Sequence, residues 1–442
     1  MHPKSCLDLL HEVQLVETYG KVNKVVGLVA EGCGVKAPLG AVCHIIPEGD
    51  AEPLPAEVVG FRDGNILFMP YGDMRGVQAG SLIRNTSMPP LFPVGEAMLG
   101  HAFDAFGKPM DGGNMPPVSG QNPIYAQPPN PLLRPRIDAP LDVGVRCINS
   151  LITLGKGQRV GIMAGSGVGK STLMGMMARY TSADVNVIAL VGERGREVVE
   201  FIEKDLGPEG MARSVLIIAT SDQSPLVRMR AAYAATAVAE FFRDQGKDVL
   251  LMMDSVTRFA MAAREVGLAV GEPPTTKGYT PTVFAQLPKL LERAGRSEKG
   301  TITGIYTVLV DGDDFNEPIA DAVRSILDGH IVLTRDLADL GHYPAIDVLK
   351  SISRLRSDIC PPEVIEAGRI LTRYLATYRK VEDMINIGAY AQGSNPDIDQ
   401  AITMVPNINN FLQQHVQDRQ PLEECYNQMI TLAGLQSGEQ PQ

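Results

Sequence analysis

The chain has no tryptophan, and aromatic residues of all kinds make up only 5% of its 442 positions. Proteins that hold single-stranded nucleic acid usually stack the bases on exposed aromatic rings. The charge argues in the same direction, because 51 acidic residues against 40 basic ones leave a net charge of −11. Nucleic-acid backbones attract clustered Lys and Arg instead. We therefore expect no nucleic-acid partner.

Cysteines are few and scattered. A zinc site or a disulfide framework needs closely and regularly spaced cysteines, and no Cys-x-x-Cys pair is present. We expect reduced thiols of a cytosolic protein. The six positions are Cys6, Cys33, Cys43, Cys147, Cys360 and Cys425.

Long apolar runs are missing as well. No stretch approaches the ~20 consecutive apolar residues that cross a membrane. The first residues lack the charged-then-apolar layout of a secretory signal. These two absences predict a cytoplasmic protein.

The composition and length are those of a folded protein with two or three domains, since 44% of residues are hydrophobic and 21% charged. Residues 6–16 predict one helix whose apolar stripe would dock either on its own domain or on a partner. Short β-favouring runs separated by turn signals then predict a small β-barrel or sandwich. These runs are residues 42–46, 56–61, 66–69 and 81–84.

The rest of the chain divides into three further patterns. Residues 88–140 are rich in Pro and Gly and predict a connector with little regular structure. Strand-like and helical runs alternate over residues 141–356, which predicts a parallel sheet covered by helices on both faces. After Cys360 the pattern is helical. The predicted domains are residues 1–88, 89–360 and 361–442.

The strongest motif is a glycine-rich loop between a predicted strand and a predicted helix. The glycines let backbone N–H groups turn inward around phosphate, and the helix N-terminus adds partial positive charge. Lys170 would reach the β- and γ-phosphates and the Ser171 hydroxyl would ligate Mg²⁺. A glycine-rich surface turn is the alternative, disfavoured because strand, loop, Lys-Ser pair and helix all occur together. The predicted phosphate-binding residues are Ala164, Gly165, Ser166, Gly167, Val168, Gly169, Lys170, Ser171 and Thr172.

Two further segments carry carboxylates at the ends of predicted strands. Asp254 ends a hydrophobic strand, as does the residue that holds a Mg²⁺-bound water in P-loop enzymes. Residues 191–197 follow another strand, and a carboxylate there could polarise an attacking water while an arginine steadies the γ-phosphate. A solvated run of charges is the alternative for this second segment, and the residues themselves leave it open.

Several longer motifs together resemble the family of flagellar and type III secretion export ATPases, relatives of the catalytic subunits of rotary ATP synthases. The likeness covers nearly the whole chain. It implies an N-terminal β-barrel, a central RecA-like α/β domain of the P-loop NTPase class and a C-terminal α-helical domain. The matching motifs are residues 94–100 (VGEAMLG), 254–260 (DSVTRFA), 271–279 (GEPPTTKGY), 326–333 (ILDGHIVL), 341–347 (GHYPAID) and 351–354 (SISR).

The resemblance also implies roles for single residues. Glu193 is similar to the residue that activates the hydrolytic water, and Arg194 and Arg258 match positions close to the phosphates. Tyr343 matches the aromatic residue that stacks on adenine, and Arg354 the arginine finger presented to a neighbouring subunit. Without the family, Tyr343 would be assigned to packing beside its proline and Arg354 to a polar domain boundary. The implied ligands are ATP and Mg²⁺, the latter at Ser171 and Asp254.

One chain here carries both Glu193 and Arg354, so a single gene product could build a homohexamer. Family members work peripherally at the inner-membrane export apparatus with a stator-like regulator, a central stalk protein and chaperone–substrate complexes. Residues 27–31 and 40–43 resemble the flagellar members of the family more closely, which favours flagellar export. The alternatives are a virulence-type secretion ATPase, an RNA-dependent hexameric translocase and a ring subunit without activity. The joint presence of Lys170, Glu193 and Asp254 speaks against the last.

Overall fold

A computed structural model describes residues 18–49, 52–86, 90–310, 314–315 and 317–435. The helix predicted at residues 6–16 lies outside these ranges. Within them, no helix combines the length and the apolar character that a membrane crossing requires.

The N-terminal strands close into a barrel, in the order β1-β2-β5-β4-β3-β6. Burial alternates along β3, as the strand period requires, and Cys43 and Ile45 are fully buried there. Gly27, with a φ of +58°, makes the tight turn between the first two strands. The strands are β1 (Tyr19–Val26), β2 (Val29–Cys33), β3 (Val42–Ile46), β4 (Leu54–Arg62), β5 (Asn65–Pro70) and β6 (Leu82–Asn85).

The segment after the barrel contains short strands. It contains β7 (Leu91–Val94), β8 (Ala102–Phe103), β9 (Gly120–Pro123) and β10 (Pro140–Leu141). β8 pairs in parallel with a strand of the central sheet and forms its edge. The segment has little regular structure otherwise, as predicted, but the sequence did not indicate β8, because a two-residue strand shows no periodicity.

The central sheet has nine strands, and its main path runs β19-β18-β12-β17-β15-β13-β14-β8. All pairs along this path are parallel except the antiparallel edge pair β18–β19. Every residue of β13 is buried, as in a sheet covered on both faces. The strands from here on are β11 (Leu154–Gly155), β12 (Arg159–Ala164), β13 (Val185–Val191), β14 (Ser214–Ala219), β15 (Asp248–Asp254), β16 (Gly295–Arg296), β17 (Thr301–Leu309), β18 (Gly329–Leu333) and β19 (Ile352–Ser353).

Helices connect these strands, and the described residues after Pro361 are mainly helical. Asn395 caps one C-terminal helix by accepting a hydrogen bond from the Asp397 N–H, and proline follows at the first helical position. Barrel, α/β core and C-terminal helices confirm the predicted fold class. The α-helices are Arg146–Leu151, Lys170–Tyr180, Gly195–Glu200, Gly207–Ala212, Pro225–Asp244, Val256–Ala269, Pro281–Leu291, Pro318–Ile326, Arg335–Asp339, Arg356–Ile359, Pro362–Asn386, Pro396–Leu412 and Leu422–Leu432, and a π-helix spans Phe201–Leu206.

A buried ion pair ties the connector to this core. Arg293 is 1% exposed and donates two hydrogen bonds to the Glu240 carboxylate, at 2.9 Å and 2.6 Å. A further nitrogen of the guanidinium donates to the Ile124 carbonyl oxygen. Removing one partner of such a pair leaves the other charge buried and uncompensated.

We therefore expect Arg293→Ala to lower the free energy of unfolding by about 3–5 kcal/mol. Lys289 lies on the same stretch of chain but is exposed, so Lys289→Ala should change it by no more than about 0.5 kcal/mol. Urea denaturation followed by circular dichroism measures both. Equal effects of the two substitutions would contradict the importance of the buried pair.

Candidate active site

The glycine-rich loop joins the buried end of β12 to the helix Lys170–Tyr180. Gly167 and Gly169 have φ values of +80° and +88°, in the left-handed region that suits glycine. Ala164, where the strict motif has glycine, lies inside the strand and is buried. Since glycine's freedom is needed only beyond the strand, alanine fits there. The loop has the backbone form that directs N–H groups toward an anion.

Lys170 is the centre of a buried charge cluster. Its Nζ forms a close ion pair with Asp254 Oδ1 and lies 3.7 Å from Glu193 Oε1. The three side chains are only 12%, 6% and 14% exposed. The sheet brings them together because β12, β13 and β15 are parallel and their C-terminal ends meet at one edge.

Glu193 has a pKa that is raised from 4.5 to about 7, chiefly by burial. The nearby negative charge of Asp254 raises it further, while the Lys170 ammonium opposes the shift. A carboxylate that titrates near neutral pH can both accept and release a proton there. Glu193 therefore has the acidity of a general base.

Two arginines border the same cavity, which also contains residues of the glycine-rich loop. Arg258 packs against Gly192, where an added Cβ would lie 2.9 Å from the arginine's own Cβ. Its buried Nε has no hydrogen-bond partner among the residues that the structure describes. Arg194 is 77% exposed and its Nη1 lies 3.4 Å from Glu197 Oε1. Both positive groups are placed to meet an anion.

Tyr343 lies next to Gly169 of the glycine-rich loop. A Cβ added to Gly169 would be 3.7 Å from two ring carbons of Tyr343, and the tyrosine is 46% exposed. An open aromatic face next to a phosphate-type loop suits the stacking of a nucleotide base.

Arg354 is a predicted site residue that the structure does not bring to the glycine-rich loop. It is exposed, it follows the edge strand β19, and its Nη2 donates to the Arg324 carbonyl oxygen at 3.4 Å. It does not border the cavity around the loop.

Sequence reasoning missed two residues of the cluster. Thr307, within β17, donates a 2.7 Å hydrogen bond to Asp254 Oδ1. Glu197 shares a hydrogen bond with Glu193 that lowers the pKa of Glu197 and raises that of Glu193. A threonine inside the apolar run of residues 302–310 was the available signal for the first. The signal for the second was a carboxylate four residues after Glu193, in the first turn of the helix that follows.

These residues fit a magnesium nucleotide. The loop and Lys170 suit the phosphates, and the Ser171 hydroxyl and Asp254 carboxylate are the hard oxygen donors that Mg²⁺ prefers. The Asp254 carboxylate forms a close ion pair with the Lys170 ammonium, so a positive charge is favoured at this point of the site.

Two known protein families match segments of the chain that follow the barrel and the connector. Residues 144–353 match the nucleotide-binding domain of the ATP synthase alpha/beta family. Residues 360–431 match the C-terminal domain of the type III secretion ATPase EscN.

Individual proteins match over nearly the full length. The chain is 54% identical to the flagellum-specific ATP synthase of Bacillus subtilis strain 168, over 98% of this chain and 99% of that protein. The assembled ATPase EscN of the enteropathogenic E. coli type III secretion system is similar in structure, with a TM-score of 0.89, 46% identity and coverage of 94% and 100%. EscN in complex with its central stalk EscO gives a TM-score of 0.86, 45% identity and the same coverage.

The raised pKa of Glu193 can be measured directly. Infrared titration of the wild-type chain should show a carboxylic acid that deprotonates near pH 7 and is missing in Glu193→Gln. Glu197→Ala removes a group that stabilises the protonated form, so the midpoint should move to lower pH. Glu203→Ala, which removes an exposed carboxylate, should leave it in place. A titration near the ordinary 4.5 in the wild type would refute the shift.

Proposed function

Because this chain belongs to the family of flagellum-specific and type III secretion ATPases, within the ATP synthase alpha/beta family, we propose that it hydrolyses MgATP to energise export of flagellar proteins. It works as a homohexameric ring at the cytoplasmic base of the export apparatus. The observation that carries the proposal is the buried cluster in which Lys170 lies between Asp254 and Glu193. A family relative with 54% identity bears the flagellum-specific name, which supports flagellar over virulence-type export.

Lys170 and Glu193 divide the chemistry. The Lys170 ammonium exchanges its carboxylate partners for the β- and γ-phosphate oxygens, which carry more charge. Glu193 accepts the proton of a water whose oxygen attacks the γ-phosphorus. The bond from that phosphorus to the bridging oxygen breaks, and ADP and phosphate are released. Its pKa near 7 lets Glu193 take the proton and return it to solvent in each cycle.

Ser171 and Asp254 would hold Mg²⁺, which neutralises charge on the phosphate oxygens when bound. Arg258 and Arg194 add fixed positive charge at the same cavity. Tyr343 stacks on the adenine. Its exposed ring beside Gly169 supports that role.

Arg354 serves the neighbouring subunit in the proposed ring. Its exposure, and its absence from the lining of its own cavity, support action on another chain's γ-phosphate. The assembled state of EscN supports the ring. Each of six interfaces would then combine a loop from one copy with an arginine from the next.

The proposed partners follow the same family. EscN binds a central stalk, EscO, and we assign an equivalent stalk protein to this chain. A stator-like regulator, chaperone–substrate complexes and peripheral attachment at the inner membrane complete the proposed setting.

Replacing the proposed base tests the function itself. Glu193→Gln, placed in the chromosome, should lower the turnover of the purified protein by about 10²–10⁴-fold while ATP still binds. The cells should lose their flagellar filaments although the protein level is normal. Glu203→Ala serves as the matched control. Filaments that persist with a secretion defect elsewhere would favour the virulence alternative.

Arg354→Ala should bind ATP normally but turn over about 10³–10⁵-fold more slowly. Mixed with Glu193→Gln protein, it should regain activity, because some interfaces then pair an intact Glu193 with an intact Arg354. Turnover is measured in rings shown to be mixed by mass spectrometry. No recovery in such rings would reject the assignment to the neighbouring site.

A further inference from the structure

The loop between the last two helices, residues 413–421, holds a buried glutamine with four hydrogen bonds. Gln414 is 8% exposed. Its side-chain oxygen accepts from the Arg146 N–H at 2.7 Å, and its side-chain nitrogen donates to the carbonyl oxygens of Gly144 and Asp418. Its backbone N–H donates to the Tyr343 carbonyl oxygen at 3.0 Å. Gln414 therefore fixes the main chain of Tyr343 to a rigid point of the core.

The segment from Tyr343 to Asp347 is held at its other end as well. Asp347 is 4% exposed, and Arg379 Nη1 donates to both of its carboxylate oxygens, at 3.1 Å and 3.0 Å. Arg379 belongs to the helix Pro362–Asn386. The loop 413–421 and the helix Pro362–Asn386 thus hold the two ends of the short segment that bears the exposed tyrosine ring.

The same loop also touches the far end of the phosphate-loop helix. Arg179 Nη2 and Tyr180 Oη both donate to the Val416 carbonyl oxygen, at 2.8 Å and 3.1 Å. Gly144, which accepts from Gln414, lies so close to Tyr180 that an added Cβ would be 2.2 Å from the tyrosine Cβ. Gln414 consequently links the tyrosine segment to the helix that begins with Lys170.

We infer that Gln414 is a positioning residue that sets the ring of Tyr343 relative to the glycine-rich loop and so controls binding of the nucleotide base. Arg379 supports it through Asp347. The inference rests on the proposed function and adds a specificity element to the same site. It separates two parts of the ligand, because base binding depends on the residues after Pro361 while triphosphate binding depends on the glycine-rich loop and Lys170.

Gln414→Glu is the sharpest test because it keeps the shape and the accepting oxygen but removes the N–H donor to Gly144 and Asp418. Calorimetry on the full chain compares MgATP with magnesium tripolyphosphate, which has no base. We expect MgATP to bind about tenfold more weakly and tripolyphosphate to bind as in the wild type. Gln413→Glu adds the same charge at an exposed neighbour and should leave both affinities unchanged.

A double-mutant cycle separates positioning from general loosening. Once Tyr343→Ala has removed the ring, Gln414→Glu should weaken MgATP binding no further. Independent losses in the cycle would overturn the inference. An equal loss of affinity for MgATP and for tripolyphosphate in Gln414→Glu would also overturn it, as would an unchanged affinity for MgATP.

Arg379→Gln provides a second test if the first variant does not fold. It should produce the same base-selective loss, and Arg379→Lys, which keeps a charge for Asp347, should restore most of the affinity. A loss that is equal for both ligands in Arg379→Gln would count against the inference. Failure of the proposed function would look different, since Lys170→Ala would then bind MgATP as tightly as the wild type does.

Discussion

One buried positive charge organises the site. Burying an ammonium is costly unless opposite charges lie beside it, and Lys170 satisfies this condition with Asp254 and Glu193. Each of the three comes from the C-terminal end of a different parallel strand or the loop after it. The strand order β12-β17-β15-β13 is therefore a requirement of the charge cluster, because a different order would separate the carboxylates from the lysine.

The same constraint explains why the pKa of Glu193 is raised while Asp254 pairs with the lysine. Asp254 has the ion pair and the Thr307 hydroxyl. Glu193 lies farther from the ammonium, is desolvated, and meets Asp254 and Glu197 as like charges, which together raise its pKa. The raised pKa of Glu193 thus comes from its surroundings alone.

The glycine-rich loop and the barrel strands could be predicted from the sequence because their signals are local. A strand, a glycine run and a helix in succession identify the loop, and short β-favouring runs between turn signals identify β3 and β5. Thr307 and β8 could not be found in this way, since their importance depends on which strand lies beside them. Gln414 is harder still, because its partner Arg146 is 268 residues away and no periodicity joins the two.

The exposure of Arg354 has a consequence for when the chain hydrolyses ATP. In the proposed ring a solitary chain holds its nucleotide but lacks the cation that speeds hydrolysis. Newly synthesised copies would then hydrolyse almost no ATP before they assemble. Hydrolysis of ATP would begin only where enough copies assemble, which confines it to the site of export.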